Sequence, residues 1–189
     1  MKMLRELQSG VDIKQFFSAA CAEIELEDQI LTELFRSRSI YSGFVSHGLY
    51  PVFEHEYVYL ALKGCLRSGY RYRISWEHSY AGKRDHIDIA IMEGDQPLAG
   101  IEFKVLTPGN YGKVEQDIQK LTGFAANEKY LFVVSYENET KGILERLGKE
   151  HEGSILLAGE HSFRTNVMNT STKTQEPTNC SLQLHKVLE

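Results

Sequence analysis

The chain has 189 residues, 42% of them apolar and 25% charged, with a formal net charge of −5. That is about one domain of ordinary globular composition, and enough apolar side chains to bury a core, which excludes disorder throughout. The acidic balance excludes coating of nucleic acid by bulk basicity, and no run of 18 apolar residues is present to form a membrane-spanning helix.

In chain order, Val11 to Phe17 predicts a short helix, and Leu26, Ile30 and Leu34 recur four apart in a second helix over Ala20 to Arg36. Ser42 to Leu49, with Gly43 and Gly48, is loop-like. A helix starts near Pro51, which suits a first-turn position, runs through Val58, Ala61, Cys65 and Leu66, and ends at Gly69. The period then changes: Tyr70, Tyr72, Ile74 and Trp76 alternate with Arg71, Arg73 and Ser75 as a strand. Ala81 to Arg84 is a turn, Ile87 to Ile91 a second strand, Glu93 to Pro97 a hairpin loop and Ala99 to Leu106 a third strand. Val114, Ile118, Leu121 and Ala125 return to helical spacing, and Tyr130 to Tyr136 is long and apolar enough for a buried strand. Ile143 to Leu147 reads as helix and Ser154 to Ala158 as strand. Ser162–Val167 and Ser181–Val187 flank a polar stretch as a terminal hairpin.

The expected fold is a single α/β domain over 1–189. A helical extension covers 1–49, a core 50–158 and a C-terminal β-hairpin 159–189. Tight loops join only antiparallel neighbours, so the three strands form a meander, and the helix after them permits a parallel crossover. Met1 to Glu6 shows no apolar stretch after its basic residues, so no secretory signal and a cytoplasmic location are expected.

Several chemistries have no footing. Cys21, Cys65 and Cys180 are far apart with no Cys-x-x-Cys, which argues against structural zinc and reads as free thiols. His-Glu-x-x-His, Walker-type glycine loops and Gly-x-Ser-x-Gly do not occur. Charge is segregated, however. Lys63 to Arg84 holds six basic residues and one acid, whereas Met1 to Phe35 holds three basic and seven acidic.

The basic window precedes three charged residues on the central strands: Asp88, Glu102 and Lys104. Glu102 and Lys104 are two apart and share one face, roughly 6.6 Å apart along a strand. A meander sets Asp88 on the neighbouring strand, about 4.8 Å away. Alternation alone also describes a strand with its charges in water. Here nearly every neighbour is apolar: Ile87, Ile89, Ala90 and Ile91, then Ile101, Phe103, Val105 and Leu106. Charges inside such strands cost several kcal/mol unless matched, which points to a functional grouping. Two hard carboxylates suit Mg²⁺ or Mn²⁺, and an ammonium beside them can orient a water or offset charge developing on a phosphorane.

Asp88 followed by Glu102-Phe103-Lys104 resembles the signature of the PD-(D/E)XK nuclease superfamily, whose restriction-endonuclease-like core runs helix, three-strand meander, helix, strand. The resemblance covers roughly Val52 to Leu147. It implies a Mg²⁺- or Mn²⁺-dependent nuclease hydrolysing DNA phosphodiesters, with Asp88 and Glu102 as metal ligands and Lys104 as the lysine. The family often adds a glutamate on the first core helix, for which Glu54 and Glu56 compete, Glu56 being preferred. Gln116, Asp117, Gln119 and Lys120 are candidates on the following helix, the two glutamines for substrate. Arg73, Lys83 and Arg84 are candidate phosphate contacts. Ile87 stands where the family usually has proline, and the glutamine-x-x-x-tyrosine of the exonuclease-type branch is absent. Cutting both strands commonly takes two sites, so a homodimer is expected. The other expectation is a non-catalytic binding or interaction module on the same fold.

Overall fold

Six strands form one mixed sheet in the computed structural model, which describes residues 11–38, 53–79, 86–107, 109–140, 142–169 and 174–188. The expected loop at Ser42–Leu49, the helix start at Pro51 and the turn at Ala81–Arg84 lie outside these residues.

The first helix, α1 (Ile13–Arg38), is continuous where the sequence suggested two. Nothing between Phe17 and Ala20 breaks it: Ser18-Ala19 carries no proline or glycine. Asp12 starts it, its carboxylate accepting the Gln15 N–H at 3.0 Å. The second helix, α2 (Glu54–Arg67), lies against α1 so closely that a β-carbon on Gly64 would meet the Ala19 carbonyl oxygen at 2.3 Å. Glu23 of α1, buried, receives Lys63 and Arg67 of α2 at 2.9 and 3.0 Å.

The meander is β1 (Arg73–Ser79), β2 (His86–Glu93) and β3 (Gln96–Val105). β1 starts later than expected, because Tyr70 and Tyr72 pack their rings on the α1–α2 side, Tyr70 edge-on to Phe16. After β3 come a short 3₁₀ turn (Tyr111–Lys113) and α3 (Val114–Thr122), then β4 (Glu128–Tyr136). Short α4 (Glu137–Thr140) and α5 (Ile143–Glu150) lead to β5 (Ile155–Asn169) and β6 (Thr174–Val187).

Strand order is β1-β2-β3-β4-β6-β5. Only β3 and β4 pair in parallel, as the α3 crossover permits. The two strands expected after Ser154 are one 15-residue strand with a register shift between Leu157 and Gly159. The Phe17 ring sits where a Gly159 β-carbon would be, at 2.9 Å, so glycine is required at this close approach. The hairpin is part of the main sheet, since β6 inserts between β4 and β5. Its Pro177 precedes the stretch paired with β4, so no second ladder needs its missing N–H.

Alternation along β4 separates the two cores. Tyr130, Phe132, Val134 and Tyr136 join α1 and α2 on one face, while Leu131 and Val133 join Val114, Ile118 and Leu121 of α3 and Leu147 of α5 on the other. A sheet covered on both faces keeps its central strands apolar throughout, so any charge inside them needs partners close by. No helix among the described residues is long and apolar enough to cross a membrane.

Candidate active site

The β2–β3 ladder opens at one end. Its facing pairs run from Glu93–Gln96 to Ile89–Ile101. Beyond that point β2 continues with β1 as far as His86–Ser79, and β3 continues with β4 as far as Val105–Val134. The two strands therefore fork, and backbone groups that would have paired across the gap need other partners. Asp88 and Glu102 supply them. The Phe103 N–H donates to Asp88 Oδ2 at 2.8 Å, and the Asp88 N–H donates to Glu102 Oε1 at 3.1 Å. Each carboxylate replaces a ladder carbonyl, which fixes the two acids beside one another in the fork.

Two helices close on this fork. Glu54, in the first turn of α2, receives Lys104 Nζ at 3.1 Å and accepts the Val105 N–H at 3.2 Å. Asp117 of α3 brings Oδ2 to within 2.9 Å of the same ammonium. That oxygen is buried and has no partner with hydrogen-bond angles, so the contact is one of charge. Lys120, one turn further along α3, places its ammonium 2.9 Å from both oxygens of Glu102. Four carboxylates thus meet two ammonium groups, a formal balance of −2.

Burial and crowding shift every member whose titration is resolved. Desolvation pushes Glu102 up to about 8, the Asp88 charge adding to it and Lys120 opposing it. Desolvation likewise raises Asp88, against the Phe103 N–H and Lys120, with Glu54 and Asp117 adding to the rise. Asp117 is raised by burial although Lys104 works the other way. Burial acts to lower both lysines, but Asp117 and Glu54 hold Lys104 above its ordinary value, and Glu102 does the same for Lys120. The lysines are charged at neutral pH, and the acids are held against their preference for water.

Backbone strain lies alongside. Glu77 on β1 has φ +48°, left-handed for a residue with a β-carbon, and its neighbours Trp76 and His78 pair with Ile89 and Ile87. It therefore stands opposite Asp88, and such strain collects at functional sites.

The structure brings Asp88, Glu102, Lys104 and Glu54 together. It corrects the preference for Glu56, whose carboxylate turns back to accept the Phe53 N–H at 2.9 Å and caps α2. Lys104 is held by Glu54 and Asp117, and the ammonium on Glu102 is that of Lys120. Gln116 and Gln119 are exposed. Arg73 points to the far hairpin turn, donating to the Gly94 carbonyl at 3.2 Å. It pairs with Met92, four residues and about 13 Å along β2 from Asp88. Lys83 and Arg84 lie outside the described residues. The signal for Asp117 was in the helix period, since it flanks the stripe of Val114, Ile118 and Leu121 that faces the sheet. Lys120 is turned about as far from that stripe as Gln119, and its long stem brings the ammonium to Glu102.

The donor chemistry suits a hard divalent cation, since the facing groups of Asp88 and Glu102 offer only carboxylate oxygens. Asp88 and Glu102 would hold it. Among the described residues, no three acid, imidazole or thiolate groups surround a common point. A cavity of about 530 Å³ between α1 and β5, lined by Asp28, Arg164 and Thr165 among others, shares no residue with this cluster. No family model, curated protein or solved structure matches the chain.

Proposed function

We propose that the chain is a Mg²⁺- or Mn²⁺-dependent nuclease hydrolysing DNA phosphodiester bonds, on a restriction-endonuclease-like core. The observation that carries this is the fork. Asp88 and Glu102 meet where β2 and β3 part, with Lys104 two residues on and Glu54 arriving from the preceding helix. The order of helix, antiparallel meander, helix and parallel strand supports the same reading.

Asp88 and Glu102 would hold the divalent cation, which would supply Lewis-acid polarisation of a phosphoryl oxygen and a more acidic water. The protein's own groups do the rest. Lys104 stays protonated, because Asp117 and Glu54 outweigh burial, so it acts as a donor and positive charge and not as a base. The hydrogen bond to Glu54 orients the Lys104 ammonium and the Asp117 charge at 2.9 Å keeps it in place, which is what stabilisation of a phosphorane oxygen requires. Glu54 fixes Lys104 and the backbone of Val105 together, so the helix sets the lysine's position relative to the acids. The buried setting strengthens each of these interactions over its value in water. Cutting both strands of a duplex would take two copies, and a homodimer belongs to this proposal.

Purified protein with Mn²⁺ or Mg²⁺ should cut DNA, and Lys104→Ala should lower the single-turnover rate by about 100-fold or more. Equal, trace cutting by wild type and variant across several DNA substrates would overturn the proposal.

One observation favours a second reading, a non-catalytic binding module on the same architecture: Lys120 already neutralises Glu102. Calorimetry separates the two. Mn²⁺ binding that disappears in Asp88→Asn supports the nuclease, and no such binding supports the module.

A further inference from the structure

Lys120 stands outside the mechanism just described, yet it makes the closest charged contact to a proposed metal ligand. Its ammonium lies 2.9 Å from each oxygen of Glu102, and its charge also acts on Asp88 and Asp117. The Glu102 side chain is almost fully buried at 4% exposure, whereas that of Lys120 is 25% exposed. The two partners therefore have different freedom. Glu102 is fixed in the fork by the Asp88 N–H, while Lys120 sits at the end of a long stem at the rim of α3. A lysine stem can swing its head to water while its methylenes stay packed.

On the reading of this site as a metal-dependent nuclease, we propose that Lys120 is a built-in counter-ion that occupies the cation position and must leave Glu102 for a divalent ion to bind. Two buried carboxylates side by side cannot both stay charged without a cation between them. The ammonium supplies that charge in the metal-free protein and keeps the fork from being forced apart. A divalent ion competing for the same oxygens meets a resident positive charge, so its affinity is set lower than the four carboxylates alone would give. The released ammonium remains tethered within reach of the cluster, next to where an anionic phosphate would lie.

The arrangement differs from that of Lys104. Lys104 is 7% exposed and gripped by carboxylates from two different helices, so it has no comparable route out. The cluster thus contains one fixed ammonium and one displaceable one.

Calorimetric titration of Mn²⁺ into full-length wild type, Lys120→Met, Lys120→Arg and Asp88→Asn at pH 8.5 tests this, with thermal unfolding of each protein with and without Mn²⁺ as the second readout. Removing a unit charge at contact distance from a dication should tighten Mn²⁺ binding by about tenfold or more in Lys120→Met. Lys120→Arg, which keeps the charge, should bind no tighter than wild type. Lys120→Met should also show the larger rise in unfolding temperature on adding Mn²⁺. Equal or weaker binding by Lys120→Met, with wild-type binding that is lost in Asp88→Asn, would overturn the counter-ion role and leave the nuclease reading standing. No Mn²⁺ binding by wild type beyond that of Asp88→Asn, together with none by Lys120→Met, would overturn both.

Discussion

Glu102→Gln measures what it costs to hold a charged carboxylate in the fork. In the folded protein Glu102 titrates at about 8, against an ordinary value of 4.5, because burial and the Asp88 charge disfavour its ionised form. A raised acid favours the fold while it is protonated. Its contribution is complete below pH 4.5 and is lost as pH climbs through about 8. That interval sets a ceiling of about 5 kcal/mol, and sharing of protons with Asp88 together with the Lys120 contact leaves about 1–3 kcal/mol as the expected loss. Gln at this position never ionises, and its carbonyl keeps an acceptor for the Asp88 N–H. Lys120, a quarter exposed, turns to water.

The metal-free variant should therefore match wild type near pH 5 and exceed it by about 1–3 kcal/mol near pH 9. Urea unfolding with chelator at pH 5, 7 and 9 reads this as a difference in midpoint that widens with pH. Mn²⁺ should stabilise wild type at pH 9 and leave the variant unchanged. A variant less stable than wild type at pH 9, or a difference independent of pH, would refute the reasoning, since it would mean Lys120 fully compensates the buried charge.

Three further outcomes are expected. Glu54→Gln should lower single-turnover DNA cleavage by about tenfold or more, because it loosens Lys104, whereas Glu56→Ala should leave cleavage intact and cost about 0.5–1 kcal/mol in denaturant unfolding through the lost cap. Asp117→Asn should weaken the hold on Lys104 and cut the cleavage rate while the Mn²⁺ affinity measured by calorimetry stays within a factor of about three. Gly64→Ala should destabilise the fold by about 1–3 kcal/mol in urea, because its new methyl meets the Ala19 carbonyl at 2.3 Å and forces α1 from α2. Unchanged stability there would show that the helices separate freely.

The meander and crossover were legible because period carries them. Alternation at Ile87–Ile91 and Ala99–Leu106, then helical spacing at Val114, Ile118 and Leu121, reflect which faces are buried. The pairing of β6 with β4 was not legible, since hairpin spacing says which strands are joined and not which of them meets the rest of the sheet. Asp88, Glu102 and Lys104 stood out as charges in apolar strands. The sequence reading prefers Glu56 because the cap that occupies it begins at Phe53, and an aromatic at that position gives no helix-start signal. Lys120 was not separable from Gln119 by helical period, and its contact with Glu102 depends on stem length and on the distance between helix and sheet, which no spacing rule contains.

The fork also decides which substitutions can be interpreted. Asp88 serves the backbone as well as any cation, because its Oδ2 replaces a ladder acceptor for the Phe103 N–H. Asp88→Ala removes charge and acceptor together, leaving a buried N–H unsatisfied at a cost of about 1–3 kcal/mol. Asp88→Asn keeps an acceptor and removes only the charge. If the acids exist to hold a cation, Asn should abolish Mn²⁺ binding while the metal-free fold is as stable as wild type or more so, and Ala should lose both binding and stability. If they exist to staple the strands, Asn should be silent in both measurements and only Ala should be damaging. A structural staple has no need of charge, so the response to Asp88→Asn, which removes the charge and keeps the acceptor, separates the two roles.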